Sequence, residues 1–505
     1  MSIADVLEPV EVLAGFDSFV GSARTGRALD GGSLSAGQSS GVQFYVCENS
    51  EKLMQSLDIE QSASAQFGPI GGADEKVSLY HSLNVTTFSI SIVLRAWRGQ
   101  KEQATPTGFL DGLCPTSGSD ADDDALDKFA RVYGDRYIAS ITKGSEFVAV
   151  YTFYSRNSIE KTNFSASLSA NGIFDGATVD AQLQQKITSF LSTNRIVRRY
   201  ASVMKGVDLT NVTPPTPETL IPFALKFSTL PAENPATISY ETDGYEHVAG
   251  CGDITKLIRN RNYFLGEHGL LSKLKNLQEL RSQIQRIQAV HECYGGFADE
   301  ALVRASTLVE GDIDSLQQQI DMAEQHPTVY LELPSLPSLD LGTPELDFEI
   351  PPYKTLCGGV GGNPYTDFDR DQSVPNRQRL AQIDLHAWDW VDSLVLQYEA
   401  DGGDLRQVFH GNFNNGHLLG VLQLGKGEFV NHISAMDGGP HGCVRYVQIG
   451  SSGGNVIKGG TGNNPLHEWQ AEAGEMLIGF TGRSGEAIDQ IGVVTVKMKE
   501  CIWHR

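Results

Sequence analysis

From Cys357 to Arg505 the apolar residues come only in short runs, among them DSLVLQY, GVLQLG, VRYVQIG, MLIGF and GVVTVK. Glycine pairs at Gly402-Gly403, Gly438-Gly439, Gly453-Gly454 and Gly459-Gly460 punctuate this stretch. Runs of this length, rich in Val, Ile and Leu and bounded by turn-forming glycine, predict an all-β unit of many short strands. Their spacing suits a small sandwich or a β-prism over residues 357–505.

Three segments of this unit carry more than periodicity. GGVGGNPYTDFD opens it, ID followed by WVDSLVLQY gives its first hairpin, and Gly479-Phe480-Thr481-Gly482-Arg483-Ser484-Gly485-Glu486-Ala487-Ile488-Asp489-Gln490-Ile491-Gly492 closes it. Together they resemble the jacalin-like lectins over essentially all of 357–505. The resemblance implies a sugar site at the Gly-x-x-x-Asp motif Gly485–Asp489. There the amides of Glu486 and Ala487 would point at sugar hydroxyls, and the carboxylate of Asp489 would accept two hydroxyl hydrogen bonds. Gly361-Gly362 would close the other side. Pro364-Tyr365 stands where many members carry a second glycine pair. Trp388-Asp389-Trp390-Val391-Asp392 lies where some members have a second motif, but it lacks the glycine, so one site is expected. The competing reading makes Asp489 a turn cap in a prism that has lost binding.

In the N-terminal half, Phe129–Phe147 reads FARVYGDRYIASITKGSEF. Leu126, Phe129, Tyr133 and, after a slip, Ile138 and Ile141 recur at helical spacing, and EFVAVYTFYS then takes strand composition, so a helix passes into a strand near Glu146. Tyr133-Gly134 with Gly144 ten residues on resembles the signature of the membrane attack complex/perforin (MACPF) family. Asp135, Arg136 and Ser145 depart from its pattern. The resemblance implies an α+β domain with a bent antiparallel sheet flanked by helical clusters, and a hinge at Gly144. An ordinary helix-to-strand turn closed by glycine is the alternative.

Strict alternation flanks this segment at Ile59–Phe67, Phe88–Arg95 and Phe164–Asn171, predicting strands with one apolar and one wet face. Val179, Leu183, Ile187 and Leu191 fall four apart, which marks an amphipathic helix. In the resembled family two helical clusters unfurl into membrane-spanning hairpins, and Gly68–Leu83 and Gly172–Asn194 occupy the corresponding places, the first of them short for that task.

Thr213-Pro214-Pro215-Thr216-Pro217 interrupts regular structure, and ALKFSTLPAENPATISYETDGYE resumes with strand-like composition, completing a first domain near Asn260. Leu270, Leu274, Leu277, Ile284 and Ile287, then Ile313, Leu316, Ile320 and Ala323, keep helical spacing around a break at Tyr294-Gly295-Gly296 and predict a helical hairpin. Pro334, Pro337, Pro344, Pro351 and Pro352 punctuate an extended connector with room for one strand at Leu346–Ile350. The expected division is therefore 1–260 MACPF-like, 261–330 helical hairpin, 331–356 linker and 357–505 β-prism lectin.

Composition limits what this chain does. A formal charge of −23 argues against nucleic acid and against simple adhesion to anionic lipid. No stretch approaches the roughly 18 apolar residues of a membrane-spanning helix, and the N-terminus lacks the basic start and apolar core of a signal peptide. Seven scattered cysteines form neither a CxxC pair nor a disulfide framework, and buried free thiols are expected. Sequons at Asn84, Asn163 and Asn211 carry little weight in that setting. Gly450-Ser451-Ser452-Gly453-Gly454 matches a nucleophile-elbow pattern without its strand-to-helix context, and Asp367, Asp369 and Asp371 alternate without the rest of a calcium loop. His467-Glu468 lacks the second histidine of a zinc protease, and Asp120–Asp124 reads as a solvated helix start. No enzyme, metal or cofactor is expected.

The two resemblances imply a soluble, lectin-targeted pore-forming protein, a toxin or defence cytolysin. It would be released or secreted, bind cell-surface glycans, assemble into a ring and insert β-hairpins into target membrane lipid. The alternative from another class is a non-lytic glycan-binding protein that serves recognition or assembly.

Overall fold

A computed structural model describes residues 10–504 apart from 60–61, 63–74, 114–122, 194–197, 209, 211, 217–218, 231–234, 368–373, 375–376, 401–404, 439–441 and 463–465. The chain forms two compact units, one of residues 1–283 and 307–341, the other of 284–306 and 342–505.

The first unit is built on an antiparallel sheet. Its strands are β1 (Gly15–Asp17), β2 (Ser22–Ala23), β3 (Leu29–Cys47), β4 (Ser89–Phe109), β5 (Arg136–Tyr154), β6 (Arg198–Lys205) and β7 (Ala236–Gly244), in the order β2-β1-β5-β4-β3, with β6 and β7 also on β5. Between β3 and β4 run helices α1 (Ser50–Ser56) and α2 (Glu75–Ser82). Helix α3 (Asp123–Tyr133) precedes β5. Helices α4 (Ser158–Ala170) and α5 (Ala181–Thr193) lie between β5 and β6, and α6 (Leu220–Phe227) precedes β7.

The sequence of β5 explains why the sheet lies between helices. Phe147, Ala149, Tyr151 and Phe153 face α4, α5 and α6 through Phe164, Leu168, Leu183, Ile187, Phe190 and Phe227. Val148 and Val150 face the other way, against Leu53 and Met54 of α1, Leu57 just after it, and Val77 and Leu79 of α2. A strand buried on both faces loses its alternation and reads as a continuous apolar run. A third apolar cluster joins Leu126 and Phe129 of α3 to Leu29, Tyr137 and Tyr245.

Several expectations are corrected here. Ile138 and Ile141 belong to β5, which starts at Arg136 rather than near Glu146. Helix α3 ends at Tyr133 because Gly134 turns left-handed at φ +74, its amide bonding the Ala130 carbonyl. A Cβ there would meet the Phe16 carbonyl oxygen at 2.0 Å, so the retained glycine has a packing reason. Tyr245 Oη donates to the Tyr133 carbonyl at 2.9 Å and fixes the same turn.

Gly144 is not at a helix–strand junction. It lies inside β5, opposite Gly99 of β4, at the point where β5 changes partner: Gly144 pairs with Ala236 of β7, and Glu146 with Lys205 of β6. A Cβ on it would stand 2.1 Å from the Arg98 carbonyl oxygen.

Phe164–Asn171, expected as a strand, is helical in α4. The side chain of Asn157 caps it by accepting from the Glu160 amide, and Phe164 and Leu168, one turn apart, form its buried face. Ala-Leu-Lys-Phe at 224–227 closes α6 rather than a strand, and among the described residues of that stretch Ala236–Gly244 is extended. The strand at Phe88–Arg95 falls in β4, and the helix around Leu183–Leu191 is α5, with Val179 just ahead of it. The alternation at Ile59–Phe67 and the glycine-rich part of Gly68–Leu83 lie largely outside the described residues. Between β3 and β4 the described residues include α1 and α2.

Helix α7 (Thr255–Leu265) contains Asn260, where the first domain was expected to end. The hairpin pair follows as α8 (Leu270–Cys293) and α9 (Glu300–Gln325), on either side of the expected break. It does not stand as a separate unit: residues 284–306 group with the C-terminal unit and the rest with the first.

Besides 284–306, the C-terminal unit takes in the chain from 342 onward, ahead of the expected boundary at 357. The connector contributes β8 (Thr343–Glu345) and β9 (Phe348–Glu349). Then come β10 (Lys354–Gly358), β11 (Asn363–Thr366), β12 (Arg379–Ala387), β13 (Val391–Glu399), β14 (Leu405–Gly411), β15 (His417–Gln423), β16 (Val430–Asp437), β17 (Val444–Ser451), β18 (Val456–Gly460), β19 (His467–Gln470), β20 (Glu475–Ser484), β21 (Ile488–Met498) and β22 (Ile502–His504). One sheet runs β10-β21-β20-β16-β17-β18 with β9, β11 and β19 attached; a second runs β14-β13-β12-β15; β22 pairs with β8. This is the all-β unit of short strands that the glycine punctuation predicts. Gly453-Gly454 makes the β17–β18 turn, so the Gly450–Gly454 pattern is a hairpin with no helix behind it.

Candidate functional site

The site is assembled at one end of the β20–β21 hairpin. Ser484 pairs with Ile488, and the Gly485 amide donates to the Ala487 carbonyl at 3.0 Å, which closes the loop between them. Among the described residues no acceptor takes the Glu486 or Ala487 amide, so both remain available.

Asp489 follows as the second residue of β21, and its half-buried carboxylate faces the loop between β10 and β11. A Cβ on Gly361 would lie 2.4 Å from Asp489 Oδ1, and one on Gly362 2.4 Å from Oδ2. Only a loop without side chains approaches the carboxylate this closely, and Gly362 also needs φ +61. Arg483 holds the loop in place, Nε donating to the Gly361 carbonyl at 2.8 Å and Nη2 to the Gly362 carbonyl at 2.7 Å. The Gly359 amide bonds the Asp489 carbonyl at 2.8 Å and ties β10 to β21.

The fold thus brings together Gly361, Gly362, Gly485, Glu486, Ala487 and Asp489, the whole set expected from the sequence. Sequence reading missed four neighbours. Arg483 props the glycine loop. Cys443 donates its thiol to Asp489 Oδ1 at 3.7 Å, and burial together with that carboxylate raises the thiol above its usual value, keeping it protonated at neutral pH. Asn412 and Asn415, from the turn between β14 and β15, donate to Glu486. Their signal was the turn composition Asn-Phe-Asn-Asn-Gly at 412–416, which fixes a turn and says nothing of what it meets.

Asp392, in the place of the expected incomplete motif, packs against Gly416. It is 9% exposed, a Cβ on Gly416 would lie 2.4 Å from its Oδ2, and burial pushes its carboxyl up. Trp390 instead lies under Arg445, whose guanidinium stands 4.2 Å from the ring centre. Pro364-Tyr365 is part of β11, paired with β20, and the Tyr365 ring stacks on His410 at 3.7 Å.

Asp367 is a core group rather than a metal ligand. Its carboxylate accepts from Tyr398 Oη at 3.2 Å and the Phe480 amide at 2.8 Å and pairs with His410, while Asp369 and Asp371 lie outside the described residues. Among the described residues no group of three or more potential metal ligands occurs. Chemically, the notch offers two carboxylate oxygens and two free amides. That set fits a ligand carrying adjacent hydroxyls.

Residues 355–494 match the family model of the jacalin-like lectin domain, and the C-terminal unit therefore carries such a domain. Solved structures similar to this region include the mannose-binding lectin from Champedak, at 23% identity over 27% of this chain and 91% of that one, with a TM-score of 0.24. Artocarpin in complex with mannotriose matches at 22% identity over 28% of this chain and 93% of that one, TM-score 0.24. Calystegia sepium agglutinin matches at 18% over 31% and 99%, TM-score 0.24. No match to the MACPF family is found for the N-terminal unit.

Proposed function

We propose that this protein captures glycans through the notch at Asp489 and acts on the membrane beneath them by converting two helical insertions into β-hairpins of a ring-shaped pore. The observation that carries the glycan half is the carboxylate of Asp489 set against a side-chain-free loop, beside two unoccupied amides. Glycan-array binding tests it. Asp489→Ala should abolish binding and leave the thermal midpoint nearly unchanged, since a rim carboxylate contributes little to the fold. Persistent binding would place the sugar site elsewhere. A single shallow site should bind at about millimolar, roughly −4 kcal/mol, and a ring would multiply it by avidity.

The observation that supports the pore half is a segment whose sequence suits two structures. Helix α4 is helical and buried along Phe164 and Leu168, yet Phe164, Ala166, Leu168 and Ala170 alternate with Ser165, Ser167 and Ser169 as a barrel strand would. In α5, Leu183, Ile187 and Leu191 share a helical face, and, being an even number of residues apart, would also share one face of a strand. Such helical insertions lie between β3 and β4 and between β5 and β6, and pack on opposite faces of the sheet. Environment-sensitive labels at successive positions around Ser189 should give an alternating signal on glycan-bearing membranes. A repeat of three to four there would sink the conversion. No cofactor or catalytic group enters this reading.

A non-lytic glycan-binding role is favoured by one feature. Lys76 of α2, 3% exposed, is ion-paired to the buried Glu146 of β5 at 2.8 Å and donates to the Ile238 carbonyl, which pins the first insertion to the sheet.

A further inference from the structure

We infer that Asn412 and Asn415 are positioning residues of the sugar site, aligning its amides through Glu486 and holding that carboxylate as a filter favouring neutral over anionic glycans. The inference rests on the glycan reading of Asp489.

The turn carrying these residues is firmly based. Gly411 at φ +79 and Gly416 at φ +70 bound it. The Asn412 amide donates to the Asp392 carbonyl at 3.2 Å, the Asn415 amide to the Asn412 carbonyl at 3.0 Å, and the Asn414 amide to Asn412 Oδ1 at 3.0 Å. Buried Asp392 sits directly against Gly416. The place of the missing second motif thus supports the loop that serves the first.

From this base Asn412 Nδ2 donates to Glu486 Oε2 at 2.8 Å, and Asn415 Nδ2 reaches both Glu486 Oε2 and the Glu486 carbonyl at 3.4 Å. The last contact matters for binding. The Glu486 carbonyl and the Ala487 amide belong to one planar peptide and point in opposite directions, so a donor holding the oxygen sets where the N–H points. A loop ordered before the ligand arrives does not lose that freedom on binding. The same grip keeps a second carboxylate on the loop that carries Asp489. A sulfated or sialylated sugar would bring a third negative charge to the rim, whereas a neutral sugar would not.

The test is a double-mutant cycle on the full chain, with methyl α-mannopyranoside as the neutral probe and its 6-sulfate as the anionic one. Asn412→Ala with Asn415→Ala should weaken the neutral probe about tenfold, as expected for losing hydrogen bonds to a charged group, with the thermal midpoint unchanged. Placed in a Glu486→Ala background, which removes the carboxylate but keeps the Glu486 carbonyl, the same pair should add a smaller loss, because only the Asn415 contact to that carbonyl is left to break. Glu486→Gln, which keeps an acceptor and removes the charge, should improve binding of the sulfate relative to the neutral probe. Additive losses, or no change with the sulfate, overturn the inference. If the wild type binds neither probe, the glycan reading is what fails, and hydrogen exchange over 485–489 then decides the clamp. Faster exchange in the asparagine variant supports it, and unchanged exchange overturns it.

Discussion

Gly144 and Asp489 show how differently one residue can be constrained. Asp489 stands at a rim with its carboxylate against the glycine loop, so under the proposed glycan role its replacement should cost binding and little else. Gly144 is fixed by backbone crowding: neighbouring carbonyls of β4 leave no space for a Cβ, and a Cβ on Gly206 would itself meet the Gly144 carbonyl oxygen at 2.1 Å. Gly144→Val should therefore destabilise the first unit by about 3 kcal/mol or more, the range of severe overpacking, read as a lower denaturation midpoint or loss of soluble expression. A variant of wild-type stability that fails only in membrane leakage would restore the hinge role expected from the sequence. The glycine resemblance was legible, but its reason was not, because a partner change between β7 and β6 depends on strands far away in the chain.

At the scale of elements, α2 and β5 are joined by a buried ionic cluster in the first unit's interior. Glu146, 1% exposed, is bonded by Lys76 and by Arg95 Nε at 2.5 Å, and Arg95 Nη2 reaches Asp58 at 2.5 Å. Burial lowers the Lys76 ammonium below its ordinary value, and the Glu146 carboxylate opposes that shift. Removing one partner leaves a buried charge short of compensation, so Lys76→Met should destabilise the unit by about 3–5 kcal/mol in a denaturant titration. If the insertion between β3 and β4 is released during pore formation, the same variant should leak vesicles faster per folded molecule; equal rates would make the pair purely structural. Neither Lys76 nor Glu146 stood out in the sequence, since an isolated lysine in a short helix reads as a solvent group until its neighbours are known.

For the whole molecule, capture and membrane action should separate. The wild type should release dye from vesicles bearing the glycan identified on the array and leave bare vesicles intact. Asp489→Ala should fail on both, and tethering it to vesicles by an added affinity tag should restore leakage if the lectin notch does no more than deliver the protein. Binding by the wild type without leakage would favour the non-lytic role. The division of the chain also differs from the sequence expectation at this scale: the prolines from Pro334 predict a spacer with room for one strand at Leu346–Ile350, where β9 pairs with β21, but β8 is a further strand, recruited by β22. Edge strands without exposed partners in the sequence are recognised only when the receiving edge is in place.

The sequence by itself determined the features that depend on local rules. Glycine pairs and short apolar runs specified the β-strands of the C-terminal unit, helical spacings of three and four residues specified α5, α8 and α9, and the Gly-x-x-x-Asp motif specified the heart of the notch. Tertiary structure decided whatever depended on distant partners. The Phe164–Ala170 repeat satisfies a period of two, and became a helix because Phe164 and Leu168 find Phe153 and Phe190 to pack against while Asn157 caps the first turn. The run after Arg136 carries apolar residues at helical spacing, and became a strand because β1, β4 and β7 supply its hydrogen bonds. Asn412 and Asn415 reached the sugar loop only through folding, since a turn residue's contacts are set by whatever element is packed opposite it.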